Sequence, residues 1–236
     1  MPFKADAIRA VADKYNIPIL EDSAEALGSH YKGKMCGTFG DIAALSFNGN
    51  KIITTSGGGA LVATSKAVKD KAVFLATQAR DNAPHYQHSE VGYNYRLSNI
   101  SAGIGRGQME VLHKHIELRR QMNAFYHDIF KDIEGVTVFQ EPNSDYFSNH
   151  WLSCITINSD KTGKTREDLR LALEKENIES RPLWKPMHLQ PVFEKYPYYG
   201  GKVCETLFEN GLCLPSGSNL TAEDKNRLKE VFNRFF

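Results

Sequence analysis

Apolar and polar residues along the first third of the chain alternate between a helical spacing and short apolar runs. Residues 5–15 place apolar side chains at the spacing of an amphipathic helix, and the run IPIL follows and stops at Asp22. Two more short apolar runs, DIAALSF from Asp41 and GALVAT from Gly59, are bounded by turn residues, and a second helical pattern begins near Ser65. Such runs predict strands buried on both faces, as in an α/β sheet.

A longer helical pattern, from Asn99 to Lys131, opens the second part of the chain, with no proline in it and no glycine after Gly107. Beyond Gly135 the runs VTVF, WLSCITI and GLCLP predict strands, and ESRPLW predicts an extended segment. The segments REDLRLALEKEN and TAEDKNRLKEVFNRFF have the spacing of helices. Strands and helices mixed in this way are typical of a small α+β domain.

These patterns predict an α/β protein in three parts. Residues 1–106 form part of a large domain with a mainly parallel sheet, residues 107–134 form a connecting helix, and residues 135–236 form a small α+β domain. The first part supplies about three strands, fewer than the roughly five or six of an average sheet. We therefore expect the large domain to be partial, with its N-terminal strands absent.

Composition and charge narrow the class of protein. The 29 basic and 28 acidic residues nearly cancel, so the chain has no net field that would attract nucleic acid or an anionic membrane. No stretch approaches the roughly 20 apolar residues that cross a bilayer, and the N-terminal segment lacks the apolar core of a signal peptide. Cys36, Cys154, Cys204 and Cys213 form no C-x-x-C pair. We expect free thiols and a soluble, cytoplasmic protein.

Among the candidate residues, Lys51 has the neighbours most typical of a binding site. It lies in ALSFNGNKIITTSGGGALVAT, between hydroxyl and amide side chains and three consecutive glycines. Taken alone, a lysine is usually a solvated surface charge, and the glycines could be a simple turn. Asp22 stands where a buried strand ends, the position at which open α/β sheets present groups to ligands, although a capping aspartate would look the same.

These residues together match the needs of pyridoxal phosphate. The cofactor requires an amine for a Schiff base, an acid for its ring nitrogen and donors for its phosphate. The lysine precedes the glycines, so the segment is not the phosphate loop of nucleotide hydrolases. The histidines give little support for a metal site, because His85 and His88 have no third ligand in view.

Three segments, in order, carry a family resemblance. ILEDSAEALGS, ALSFNGNKIITTSGGGAL and GYNYRLSNISAGIGRGQMEVL resemble the sugar aminotransferases of the DegT/DnrJ/EryC1/StrS family. The resemblance implies a pyridoxal phosphate enzyme of the aspartate aminotransferase fold, fold type I, acting as a homodimer with a shared active site. It begins inside the cofactor domain of that family, which again leads us to expect a chain without its N-terminal part.

The resemblance also assigns roles to residues. It implies that Lys51 bonds to the cofactor and later moves protons, that Asp22 pairs with the pyridinium nitrogen and that Ser46 binds the phosphate. Asn94 would reach the phosphate of the neighbouring subunit's cofactor. Glu25 stands where the wider family usually has a glutamine against the ring oxygen, and this departure leaves the detail of that contact open.

The segment RPLWKPMH resembles the part of the family that faces the sugar nucleotide. The resemblance implies that Trp184, Lys185 and His188 bind substrate, whereas a proline-rich loop with a packed tryptophan is the structural alternative. It further implies that glutamate donates an amino group to C4 of a UDP-linked 4-keto-6-deoxy N-acetylhexosamine. Two alternatives stay open, namely another nucleotide-linked keto sugar or a truncated remnant without catalytic activity.

Overall fold

The structure, a computed structural model, describes residues 1–236. The helices are α1 (Ala5–Lys14), α2 (Lys66–Ala76), α3 (Asn99–Glu110), α4 (Leu112–Phe130), α5 (Ser159–Thr162), α6 (Arg166–Lys175), α7 (Val203–Asn210) and α8 (Ala222–Phe235), with a 3₁₀ turn at Met187–Leu189. The strands are β1 (Leu20–Asp22), β2 (His30–Tyr31), β3 (Lys34–Met35), β4 (Ile42–Ser46), β5 (Gly59–Ala63), β6 (Val136–Val138), β7 (Tyr146–Phe147), β8 (Ser153–Ile157), β9 (Arg181–Pro182) and β10 (Gly211–Leu214).

The chain divides into two compact units. Unit 1 comprises Met1–Glu117 and Glu141–Trp151, and unit 2 comprises Leu118–Gln140 and Leu152–Phe236. Helix α4 contributes residues to both units. Residues 141–151, which the sequence patterns group with the C-terminal part, therefore pack in unit 1. The division into three parts at 106 and 134 stays a prediction.

The main sheet of unit 1 has the strand order β1-β4-β5. Strands β1 and β4 are parallel, whereas β4 and β5 are antiparallel, so the sheet is mixed. The apolar runs predict strands buried on both faces, but this is wrong for β1, where Leu20 is exposed, and for β5, where Leu61 and Val62 are exposed. An apolar run can specify a strand, but burial also requires another element packed on each face of the sheet.

The long helical pattern is interrupted once. Helix α3 ends at Glu110 and α4 begins at Leu112, with Val111 between them. The amide of Val111 bonds to the carbonyl of Gln108, a tight i−3 contact, and the carbonyl of Val111 then accepts from His115 N. Neither glycine nor proline lies at the break between α3 and α4, so the break could not be predicted from the local sequence.

A second small sheet in unit 1 has the order β3-β2-β7. In it His30 pairs with Phe147, and their rings stack with centroids 4.5 Å apart. The phenol of Tyr31 donates to Asp6 Oδ1 at 3.0 Å. These strands have two residues each, too few for a period-2 pattern, and the sequence analysis did not predict them.

Unit 2 contains the sheet β6-β8-β10-β9, antiparallel throughout, and most of the predicted C-terminal elements. Its core joins this sheet to helices α4, α6 and α8. The side chains of that core are Met122, Tyr126, Phe130, Ile155, Ile157, Leu169, Leu173, Ile178, Leu212, Leu214, Leu228, Val231 and Phe232. Thr165 and Thr221 begin α6 and α8 with capping boxes that satisfy the first amides of each helix. No helix of the chain has both the length and the hydropathy needed to cross a membrane.

Candidate active site

Parallel pairing of β1 and β4 brings Asp22 and Ser46 to one edge of the main sheet. Asp22 lies opposite Ala44, and the amide of Ser23 bonds to the carbonyl of Ala44 at 3.0 Å. Ser46 ends β4 two residues beyond Ala44. The carboxyl ends of parallel strands are where open sheets of this kind present groups to a ligand.

Two consecutive carboxylates at the end of β1 differ completely in their surroundings. Glu21 is buried and accepts four hydrogen bonds, from Ser23 Oγ and from the amides of Gly37, Phe39 and Gly40. Asp22 is exposed and accepts one, from the amide of Ala24 at 3.1 Å. Glu21 therefore has its lone pairs used within the fold, whereas Asp22 keeps acceptor capacity for another group.

Lys51 is not a solvated lysine in this structure. Its side chain is 11% exposed, and Nζ forms an ion pair with Glu25 Oε1. The same nitrogen lies 4.6 Å from the ring centre of Trp151, within the range of a cation–π contact. The amine is therefore held between a carboxylate and an aromatic face.

The turn that carries Lys51 is anchored on both sides of the lysine. The amide of Lys51 bonds to the carbonyl of Asn48 at 3.1 Å, and Ile52 and Ile53 beyond it are buried. The carbonyl of Ile52 contacts Nδ1 of His115 in α4 at 3.1 Å. These contacts fix the backbone at position 51, so the lysine does not depend on a flexible loop.

The glycines after Lys51 shape the end of the sheet. Gly58 has φ +96°, a backbone conformation that favours glycine, and a Cβ there would have to displace the end of the Leu97 side chain, 2.5 Å away at Cδ1. The carbonyl of Gly58 accepts from Phe47 N at 2.9 Å. Gly59 pairs with Ser46, whose hydroxyl oxygen accepts from Asn48 N at 3.4 Å. The O–H of Ser46 thus remains able to donate.

Asn94 lies on a separate segment of unit 1. It pairs in an isolated bridge with Thr77, at the end of α2, and the amide of Tyr95 bonds to the carbonyl of Ala76. Its side chain is exposed, and nothing in the structure brings it together with Lys51. The neighbouring rings of Tyr93 and Tyr95 stack with centroids 5.0 Å apart.

The remaining predicted site residues belong to unit 2. Trp184 and Lys185 are exposed. Nε2 of His188 lies 3.0 Å from Glu205 Oε1, and its ring stacks on Tyr198 with centroids 3.7 Å apart. The structure therefore groups Lys51, Glu25, Asp22 and Ser46 in one unit and this substrate-type cluster in the other.

Sequence reasoning missed the residues around Lys51 that come from the segment 148–151. Trp151 contacts the lysine, and Asn149 bonds to the carbonyl of Glu25. They lie about a hundred residues beyond the motif they contact, so no local spacing could connect them. The one available sign was a tryptophan at the start of the WLSCITI run, where the alternating pattern of a strand begins.

Comparison with known proteins places this geometry among aminotransferases. Residues 1–233 match the DegT/DnrJ/EryC1/StrS aminotransferase family. EpsN of Bacillus subtilis, named for pyridoxal phosphate-dependent aminotransferase activity, is 49% identical over 99% of this chain and 60% of its own length. The GDP-perosamine synthase of Escherichia coli O157:H7 is 36% identical over 100% of the chain and 63% of its own length.

A solved structure agrees with these relatives. The crystal structure of a DegT/DnrJ/EryC1/StrS aminotransferase from Brucella abortus superposes with a TM-score of 0.87 at 26% identity, covering 100% of this chain and 61% of that one. The chain thus spans about 60% of the length of the curated relatives it matches. Aminotransferases of this family use pyridoxal phosphate.

The residues of unit 1 fit that cofactor chemically. A nearly buried amine, an exposed carboxylate and a hydroxyl that can donate are the groups its aldehyde, ring nitrogen and phosphate require. Lys51, Asp22 and Ser46 supply them from the ends of β1 and β4 and the turn that follows.

Proposed function

The chain belongs to the DegT/DnrJ/EryC1/StrS aminotransferase family, and on that premise we propose that unit 1 holds pyridoxal phosphate as part of a sugar aminotransferase. The observation that supports this most strongly is the placement of Lys51. Its amine is 11% exposed and bounded by Glu25 and Trp151, on a fixed turn beside the sheet edge that ends in Asp22 and Ser46. This low exposure and fixed position distinguish Lys51 from a solvated surface charge and suit it to form a Schiff base once its amine is neutral.

Each residue would have a separate task. Lys51 would hold the cofactor through a bond from Nζ to its aldehyde and would serve as the base that moves a proton. Asp22 would hold a proton at the ring nitrogen through its carboxylate. When bound, the cofactor ring supplies an electron sink for the carbon that loses its proton. Glu25 pairs with Lys51 in this structure and stands where the wider family usually has a glutamine against the ring oxygen.

The phosphate would be held by donors from two sources. Ser46 donates its hydroxyl, and the glycine turn that ends at Gly59 allows close approach of backbone. Asn94 is exposed and apart from Lys51, which suits a role toward the cofactor of a second subunit. We therefore propose a homodimer in which each subunit completes the other's site.

The substrates we propose are glutamate and a nucleotide sugar. The sugar is a UDP-linked 4-keto-6-deoxy N-acetylhexosamine that receives the amino group at C4, as in bacillosamine synthesis, with Trp184, Lys185 and His188 as its contacts. The segment RPLWKPMH supports this choice through the family resemblance. A GDP-linked keto sugar is the second candidate, because the Escherichia coli relative is a GDP-perosamine synthase. We place the reaction in the cytoplasm, where the unpaired cysteines would stay reduced.

Covalent labelling tests the cofactor site. We would incubate the 236-residue chain with pyridoxal phosphate, reduce with borohydride and map the modified peptide by mass spectrometry. We expect a stable adduct at Lys51 that is lost in Lys51→Arg and kept in Lys66→Arg, whose lysine is an exposed control. Labelling confined to exposed lysines would contradict the proposal and favour the reading of the chain as a remnant without catalytic activity.

A second experiment tests the substrate. We would supply ¹⁵N-glutamate with either the UDP-linked or the GDP-linked 4-keto-6-deoxy sugar and measure ¹⁵N in the product sugar. We expect transfer to the UDP-linked N-acetylhexosamine. Transfer to the GDP-linked sugar alone would reject that substrate and keep the aminotransferase reaction.

A further inference from the structure

The segment 148–151 contacts both members of the Lys51–Glu25 ion pair. Asn149 is fully buried, and its Nδ2 donates to the carbonyls of Glu25 and Leu27 at 2.9 and 3.0 Å. Its amide donates to Ser29 Oγ at 2.9 Å. One asparagine side chain thus holds the backbone on which the Glu25 carboxylate is mounted.

Trp151 contacts the other member of the pair in two ways. Its ring face lies 4.6 Å from Lys51 Nζ, and its Nε1–H donates to the carbonyl of Asn50 at 2.7 Å. The indole therefore fixes the backbone just before the lysine as well as the end of its side chain. Trp151 itself is buried.

Asn149 and Trp151 are also joined to each other. The amide of Trp151 donates to Asn149 Oδ1 at 2.9 Å, and the amide of His150 donates to Ser148 Oγ at 3.1 Å. His150 has φ +43°, an uncommon conformation for a non-glycine residue. Hydrogen bonds within the segment, together with the bond from Asn149 N to Ser29 Oγ, therefore support the backbone conformation that places Asn149 and Trp151 side by side.

We propose that Trp151 is the positioning residue for Lys51, and that Asn149 fixes Glu25 in register with it. The proposal rests on the proposed function, since positioning matters because Lys51 must meet the cofactor aldehyde. Trp151 is not a catalytic residue here, because it acts through the lysine. Its ring restricts the positions that the Lys51 amine can take. Its Nε1–H, through the bond to the carbonyl of Asn50, holds the turn that carries Lys51 in place.

Positioning predicts opposite changes for two reagents. Loss of the ring in Trp151→Leu would leave the Lys51 amine more exposed and less confined. A reagent that needs only exposure, such as acetic anhydride, should then modify Lys51 faster. Pyridoxal phosphate, which requires the amine in one place, should modify it more slowly. General loosening of the fold would instead raise both rates at Lys51, whereas a lysine that is already exposed would change little.

The experiment measures both rates residue by residue, by mass spectrometry, with Lys66 as the exposed reference. We expect Trp151→Leu to slow the borohydride-trapped adduct at Lys51 by about fivefold to tenfold, because the amine is no longer confined to the position from which it reacts. Acetylation of Lys51 should rise, with that of Lys66 unchanged. Trp151→Phe, which keeps an aromatic face but loses the bond to Asn50, should restore most of the adduct rate. Thermal unfolding establishes that each variant folds.

Two outcomes would overturn the inference. One is a Trp151→Leu protein in which both Lys51 rates stay within about twofold of the original, since loss of the positioning contact should exceed that. The other is a rise in both rates at Lys51, because loosening without positioning would produce it. Should Trp151→Leu not fold, Asn149→Ser serves, and an unchanged ratio of the two Lys51 rates again rejects the inference. The acetylation arm needs no cofactor, so it separates this failure from a failure of Lys51 to bind pyridoxal phosphate.

Discussion

Unit 2 and unit 1 are stabilised in different ways. Unit 2 surrounds one apolar core with a four-stranded sheet and three helices, and Phe130 at its centre is 1% exposed. In unit 1, helices α2 and α3 bury no residue, and Ile100 is 80% exposed. Unit 1 also contains buried polar contacts, such as the four donors on Glu21.

The difference shows that the two units use their side chains for different purposes. Unit 2 uses apolar side chains to close a core of its own, which is what a small α+β unit needs for stability. Unit 1 instead positions charged and polar groups at a sheet edge and leaves apolar helix and strand faces exposed. Exposed apolar surface of this kind usually marks a surface for interaction, which agrees with the homodimer proposed above.

The largest expected effect comes from comparing one buried apolar residue with one exposed apolar residue. Phe130→Ala should lower the free energy of unfolding by about 3–5 kcal/mol, because it leaves a cavity in a closed core. Ile100→Ala should change it by less than about 0.5 kcal/mol, since that side chain is already in water. Urea unfolding followed by circular dichroism measures both. Comparable losses in the two variants would mean that Ile100 packs against other apolar side chains in solution.

The polar side of the contrast is tested at the end of β1. Glu21→Gln removes a buried charge that accepts four hydrogen bonds and places an NH₂ group among donors, so we expect a loss of about 2–3 kcal/mol. Asp22→Asn, one residue away and exposed, should cost less than about 1 kcal/mol. The same unfolding measurement applies. Equal losses would show that the two neighbouring carboxylates have the same structural role.

A pH experiment examines the same polar region through Cys36. Burial, with the nearby Glu21 carboxylate adding to it, raises the pKa of this thiol to about 11. Because the thiolate is the reactive form, alkylation of Cys36 by iodoacetamide should rise about tenfold per pH unit up to that value. In Glu21→Gln the pKa should fall, since one negative charge is gone. Mass spectrometry of the labelled peptide follows the rate, and an unchanged profile in the variant would rule out this electrostatic contact.

The smallest effect concerns helix caps. Thr221 caps α8, which buries Leu228, Val231 and Phe232 in the unit 2 core. Thr221→Ala should therefore cost about 1 kcal/mol of global stability. Ser98 caps α3, which buries nothing, so Ser98→Ala should mainly increase hydrogen exchange in the first turn of α3. A larger global loss from Ser98→Ala would indicate that α3 is docked more firmly than its exposure shows.

Much of the fold was predictable because its signals are local. Helices α1, α6 and α8 follow the apolar spacing of the sequence. The sequence also singled out Lys51, Asp22 and Ser46, since strand ends and glycines are local features. The exposure of β5 and the break at Val111 depend on packing, which the local pattern does not record. The antiparallel pairing of β5 could not be predicted either, because the same apolar run is compatible with a parallel or an antiparallel strand.

The contacts that hold Lys51 and Glu25 in place could not be predicted from the sequence, for a different reason. Trp151 and Asn149 reach the lysine and Glu25 from about a hundred residues away, by way of the short strand β7. A two-residue strand has no readable period, so the return of residues 141–151 to unit 1 could not be inferred. The sequence therefore indicated the chemical groups of the candidate site but not the contacts that position them.

The most direct test of the central claim is a crystal structure of the chain soaked with pyridoxal phosphate. We expect electron density continuous from Lys51 Nζ to the cofactor, with the carboxylate of Asp22 in hydrogen-bond contact with the ring nitrogen and Ser46 Oγ in contact with the phosphate. Clear cofactor density elsewhere, or a cofactor at Lys51 whose ring nitrogen faces a group other than Asp22, would contradict it.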